Sequence, residues 1–171
     1  MEHFNENIKD MERIHRIQSH PLFQTLWKKL QDAERERVFC RHTMEHFLDV
    51  ARLMYIYALE DGVDLRKDVI YAAALLHDIG RYEQLISGTP HDIAGARLAG
   101  SIMQECGYHD DEIRSVQSAV LKHREHSGAE GREALSVYLY RADKKSRLCF
   151  SCPTREACNW SEEMKNLWID Y

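Results

Sequence analysis

Asp68-Val-Ile-Tyr-Ala-Ala-Ala-Leu-Leu-His-Asp-Ile-Gly-Arg81 is the stretch that decides the fold. Within it, Val69 to Leu76 forms the longest unbroken apolar run of the chain. That run is far short of the ~20 residues needed to span a bilayer. It reads instead as a helix from about Asp68 to Ile79, apolar on every side and therefore central, with Gly80 as its stop. His77-Asp78 stands where this helix runs out. A carboxylate in such a place has lost its hydration and needs a partner or a cation. Adjacent side chains on a helix project about 100° apart, so the pair converges on one ion only at a helix end, or with help from neighbouring helices. The alternative is a hydrogen-bonded His–Asp pair at a helix C-terminus, where the helix dipole favours histidine.

Working outward, apolar residues recur at helical spacing almost throughout. Upstream, Ile8, Met11 and Ile14 begin a first helix, and His20-Pro21 breaks it so that Pro21 opens the next, with Leu22, Phe23, Leu26, Trp27 and Leu30. A third runs from about Thr43 to Glu60, turning Phe47, Val50, Ala51, Met54 and Ala58 inward. Downstream, one starts near Pro90 or His91 and ends at Gly107. The next is capped by Asp110 or Asp111 and carries Ile113, Val116, Val120 and Leu121. A loop from Ser127 to Gly131 leads to a helix over about Glu133 to Lys145, and a short helix is expected after Ser161. Ser136–Tyr140 is the one stretch with strand character. The expectation is an all-α single domain of about 6–8 helices: a core over about 40–147, N-terminal helices over 1–37 and a cysteine-containing tail over 148–171.

The composition fits. The 171 residues include only 8 Gly and 3 Pro, with 44% apolar and 30% charged residues, which is globular and not disordered. A net charge of −5 without a dense basic run disfavours a partner of duplex nucleic acid. The polar start MEHFNENIKD is no signal peptide, so the expected place is a reducing cytoplasm, away from membranes, with free or metal-bound thiols. The 10 histidines outnumber the glycines. His46, His91 and His123, like His77, fall beside core faces near helix ends, each on a different helix, and Asp143 follows Ala142 late in its own. Four histidines and two aspartates pooled at one place form a site for divalent metal. Taken singly, His91 and His123 have other readings: a hydrogen bond to the chain near a helix start, or a substrate contact. His42 lies one turn before His46 and reads as a neighbour of the ligands or as surface. His126 follows His123 by three residues and could share its face. His3, His15, His20 and His109 read as solvated.

His46-x3-Val50-Ala51, then His77-Asp78-Ile79-Gly80-Arg81, then Ala142-Asp143-Lys144 resemble the HD superfamily of metal-dependent phosphohydrolases, over roughly Cys40 to Arg147. The resemblance implies an all-α fold of five or more core helices, with one ion held by His46, His77, Asp78 and Asp143. His91-Asp-Ile-Ala-Gly95-Ala96 followed by His123 is similar to the two-metal members, which implies a second ion on Asp78, His91 and His123. The metal (Fe, Mn, Co, Zn, Ni or Mg) is not distinguished. Two such ions would make a hydroxide from bound water and hold phosphoryl oxygens, so no side-chain nucleophile is required. Arg81 and Lys144 are the candidates for phosphate contact, with Lys122 behind them. Lys145, Arg124 and Arg41 are weaker candidates, each reading first as a solvated charge on a helix surface. Two departures narrow the substrate: Arg81-Tyr82 replace the Glu-Asp pair of the alarmone hydrolases, and no Gly-Tyr-Pro follows His123 as in cyclic-dinucleotide phosphodiesterases. A small nucleotide-like phosphate ester or anhydride is expected. A di-iron oxygenase acting on a small polar substrate, or a nucleotide-sensing module, would share the ligand set.

Cys149-x2-Cys152-x5-Cys158 has metal-ligand spacing for structural zinc or an iron–sulfur cluster, without an evident fourth ligand. Cys40 and Cys106 read as buried thiols. Trp27, Trp160 and Trp168 could serve the core or a homodimer contact.

Overall fold

The computed structural model describes residues 2–124 and 133–169, with side chains from residue 11 onward. His126 and the loop from Ser127 to Gly131 lie outside the described residues. The described elements are α1 (Glu2–Ser19), α2 (Pro21–Ala33), α3 (Met44–Glu60), α4 (Lys67–Leu76), α5 (Arg81–Ser87), α6 (His91–Glu105), α7 (Asp110–Lys122) and α8 (Ala134–Lys145), with a 3-10 turn over Cys149–Ser151. No strand occurs among the described residues. Ser136–Tyr140 is helical, within α8. None of these helices is long and apolar enough to cross a membrane.

The apolar run makes α4 the hub. It packs against α1, α3, α6, α7 and α8, and Val69 to Leu76 are buried apart from the half-buried Tyr71. Around it, α3 lies on α8, α6 on α7, and α7 on α8. The inward residues expected of α3 are all buried. On α7, Val116 and Val120 are buried and Ile113 partly so, whereas Leu121 is exposed, on the rim of a surface cavity between α6 and α7.

Helix ends decide where the polar residues go. His20 caps α2 by accepting the Leu22 N–H, so it is half-buried rather than free in solvent. The Thr43 hydroxyl caps α3 by accepting the His46 N–H, which puts His46 in the first turn. His77 caps the C-terminus of α4, His91 opens α6, and His123 caps the C-terminus of α7. Asp143 lies in the last turn of α8. Gly80 is required by a close approach. A Cβ there would strike the His91 carbonyl and the Gly95 backbone, so glycine lets the His77-Asp78 turn lie directly against the start of α6.

One helix was not expected: Arg81–Ser87 forms α5, packed on α2 and α6. Leu85 and Ile86 are exposed, so α5 carries no apolar stripe to announce it. The tail forms turns and bends after Ser161 instead of a helix. Cys40 is only half-buried, in the connection between α2 and α3. Of the tryptophans, Trp27 packs partly against the core and Trp168 is 83% exposed.

Candidate metal centre

All six expected ligands meet at one end of the bundle, and all are buried. They fall into two sets whose donor atoms lie within 4.8 Å of one another: His46, His77, Asp78 and Asp143, and Asp78, His91 and His123. Asp78 belongs to both.

The histidines are oriented through their Nδ1 atoms. His77 Nδ1 donates to the Ala74 carbonyl at 2.7 Å, and His123 Nδ1 to the Val120 carbonyl at 2.5 Å. A carbonyl can only accept, so each ring carries its proton on Nδ1. His91 Nδ1 meets Gln84 Oε1 at 2.6 Å, which gives the unforeseen α5 a role. His46 Nδ1 lies 3.1 Å from the Ser146 hydroxyl, which itself donates to the Asp143 carbonyl at 2.9 Å. Every Nε2 is thereby aimed inward.

Inside, the donors oppose one another. His91 Nε2 and His123 Nε2 are 3.3 Å apart. His77 Nε2, fully buried, has no hydrogen-bond partner of good geometry, although Asp78 Oδ2 is 3.1 Å away and Asp143 Oδ1 3.7 Å. From the Asp78 carboxylate, His91 Nε2 lies at 3.4 Å and His123 Nε2 at 3.8 Å. Lone pairs and carboxylates crowded this way call for cations between them.

The electrostatics agree. Burial holds His46 down to about 4 and His91 down to about 3, and lowers His123 as well. These rings are neutral at ordinary pH, the form that ligates metal. Burial opposes charge on His77 too, but Asp78 and Asp143 override it and raise its pKa to about 9. The carboxylates thus demand positive charge at this Nε2. Burial alone would raise Asp78 and Asp143; instead, His77, Arg81 and His42 hold Asp78 well below the carboxylate range, and His46 and His77 do so for Asp143.

The surrounding cations answer the same field. Arg81 Nε donates to Asp78 Oδ1 at 2.8 Å, and Lys144 Nζ to Asp143 Oδ2 at 2.7 Å. The Arg147 guanidinium donates to His46 Nε2 at 3.0 Å. A cavity of about 370 Å³ opens beside the site, lined among others by Arg37, Arg81, Arg124, Lys144, Arg147 and Trp160. Arg124, a weaker candidate, is exposed and lines this cavity, whereas Lys122 is not among its lining residues. Arg41 instead ties the α2–α3 connection, donating to the Glu34 and Arg35 carbonyls.

Two residues of the site, Glu34 and Arg147, escaped the sequence; His42 did not. His42 is buried; its Nδ1 meets Glu34 Oε1 at 2.7 Å and its Nε2 stands 3.4 Å from Asp78 Oδ2. It is a partner of Asp78, one of the two places expected for it. Glu34 went unnoticed within Glu34-Arg-Glu-Arg37, a run that reads as a solvated helix end. Arg147 lies beyond α8, and only the bundle's closure brings it to His46. Cys149, Cys152 and Cys158 belong to neither ligand set and lie on the segment after α8, with Cys158 on the wall of the cavity.

The model of the HD domain family matches residues 43–148. An uncharacterized protein of Clostridium beijerinckii is 37% identical over 171 residues, the full length of both chains. The ribonuclease Y of Clostridium kluyveri is 26% identical over 145 residues, and that of Symbiobacterium thermophilum 28% over 150. These alignments span 78% and 77% of this chain but 28% of either ribonuclease. Among solved structures, a predicted HD superfamily hydrolase from an uncultured Thermotogales bacterium superposes with a TM-score of 0.59 at 21% identity. The match covers 87% of this chain and 82% of that one, and shows the same fold.

Proposed function

This chain belongs to the HD domain family, whose members are generally hydrolases, and on that premise we propose that it is a metal-dependent phosphohydrolase acting on a small nucleotide-like phosphate ester or anhydride. The observation that carries the proposal is the pair of inward Nε2 atoms of His91 and His123, 3.3 Å apart with each Nδ1 already engaged, facing an Asp78 shared with a second ligand set. In this reading His46, His77, Asp78 and Asp143 would hold one divalent ion, and Asp78, His91 and His123 another; bound there, such ions would lower the pKa of water toward neutral and polarise phosphoryl oxygens.

The chain's own residues do the rest. Gln84, Ala74, Val120 and Ser146 fix the four imidazoles, so the ligands are set before anything binds. Glu34 holds His42, and His42 faces the Asp78 oxygen turned away from Arg81. Arg81, Lys144 and Arg147, which contact ligand atoms in this structure, also line the cavity, where their donors suit phosphate oxygens. Arg124 and Arg37 add charge at the wall, and Trp160 and Phe39 offer apolar surface for a base or sugar.

The test is phosphate release from a panel of nucleotides and dinucleoside polyphosphates, and cleavage of bis(p-nitrophenyl) phosphate, each with Mg²⁺, Mn²⁺, Co²⁺, Ni²⁺, Zn²⁺ or Fe²⁺. The diester belongs in the panel because two relatives are named ribonuclease Y. Turnover that disappears in Asp78→Asn supports the proposal. Silence with every metal, or equal turnover in Asp78→Asn, overturns it.

A further inference from the structure

We propose that Cys40, Cys149, Cys152 and Cys158 together ligate an iron–sulfur cluster that pins the C-terminal segment beside the phosphate cavity. The sequence offered three of these thiols; the fold supplies the fourth. Cys40 lies between α2 and α3, and the other three follow α8. The two segments are tied together around the cysteines. Thr154 Oγ1 donates to the Val38 carbonyl at 3.1 Å and is 3.3 Å from Cys152 Sγ. Arg147 donates to the Arg41 carbonyl at 3.0 Å. Cys40 and Cys158 line the same cavity. Burial raises the Cys40 thiol, and Cys149, Cys152 and Cys158 all push it further up, so each lies within its electrostatic reach. None of the four is in a disulfide.

The segment needs such a staple. Among the described residues after Lys145, Cys149 alone is buried, and beyond the 3-10 turn the chain runs only in turns and bends. A segment with so little core is held by cross-links or metal. Two features favour a cluster over one zinc ion. Cys149-x2-Cys152 has the two-to-four spacing of a zinc hairpin, but the five residues between Cys152 and Cys158 exceed it, so no second such hairpin forms. Among the described residues, the sets of donors within 4.8 Å of one another are the two His/Asp groups, and no trio of these thiols joins them. Thiolates around one zinc ion must crowd together, whereas a cluster spreads four cysteines over several iron atoms.

The consequence reaches the cavity. The same segment carries Trp160 on the cavity wall. It also carries Asn166, whose side chain donates to the Lys144 carbonyl at 2.6 Å and the Arg147 carbonyl at 2.9 Å. A cluster here therefore steadies the cationic end of the site.

The experiment is iron and acid-labile sulfide per chain, on full-length protein purified without oxygen. Sulfide is decisive, because the His/Asp centre has no source of it. We expect about two or about four sulfides per chain, for a [2Fe–2S] or [4Fe–4S] cluster. Cys40→Ser should lose them, and Cys106→Ser, at the far end of α6, should keep them. Wild-type protein without sulfide overturns the proposal, including protein with one zinc on the thiols, and so does full sulfide in Cys40→Ser. The wild-type measurement stands even if Cys40→Ser does not fold, and it is independent of whether any phosphate ester is turned over.

Discussion

Replacing Gly80 by alanine tests how the two ligand sets are joined. Gly80 has φ −77° and ψ −8°, an ordinary right-handed conformation, so alanine meets no backbone penalty. It should even gain about 0.4–1 kcal/mol from a stiffer unfolded chain. The cost is contact. The new methyl would lie under 3.0 Å from the His91 carbonyl and the Gly95 amide, both backbone, so neither can rotate aside. Restoring ordinary separation needs a shift on the order of 1 Å at the start of α6, at a cost of about 1–3 kcal/mol for overpacking. Ligand distances tolerate only about 0.2 Å. His91, whose own carbonyl is struck, should leave the Asp78–His91–His123 set, while His46, His77, Asp78 and Asp143 stand on other elements. Metal content should therefore fall from about two ions per chain to about one. Net of the unfolded-state gain, the melting temperature should drop by up to about 10 °C. Gly95→Ala is the milder control: its methyl meets the Val120 side chain at 3.2 Å and the His77 carbonyl at 3.4 Å. Metal content would be measured by emission spectroscopy after dialysis, and stability by calorimetry. A Gly80→Ala protein that keeps both ions and the wild-type melting temperature would refute the steric reasoning.

Other outcomes follow from the same geometry. Glu34→Gln should weaken metal binding or activity by about 10–100-fold, because His42 loses the carboxylate that orients it toward Asp78; titration with Mn²⁺ reads this. Chelation should lower the melting temperature by leaving buried Asp78 and Asp143 without their ions, and excess Mn²⁺ should restore it in proportion to the logarithm of its concentration. Away from the site, burial would raise Glu112, but hydrogen bonds from Arg13 and the His109 N–H hold it below 4.5. Its stabilisation is therefore present above pH ~4.5 and is lost as pH falls through the depressed folded value. Glu112→Gln should cost about 1–3 kcal/mol at pH 7, with the gap to wild type closing in acid, as urea melts at several pH values would show.

The parts of the molecule differ in how openly the sequence states them. The central helix is written in eight consecutive apolar residues, and His46, His77 and Asp143 in their helical register with buried neighbours. Helix termini explain why the ligands converge: a residue at an end can leave its own helix face and meet residues from others. α5 was hidden because Leu85 and Ile86 point outward, and the helix is held by α2 and α6 instead of by its own stripe. Glu34 and Arg147 were hidden because charged residues at chain connections look the same whether they are solvated or folded inward. Cys40 lies on a different connection from its three counterparts, and only the packing of the tail against Val38 and Arg41 relates them.

Anomalous diffraction from crystals of the full chain soaked in Mn²⁺ tests the central claim most directly. Two peaks are expected, one among His46, His77, Asp78 and Asp143, the other among Asp78, His91 and His123, with the Asp78 carboxylate reaching both. Saturating Mn²⁺ with no peak at either set, or with peaks that Asp78 does not touch, would contradict it.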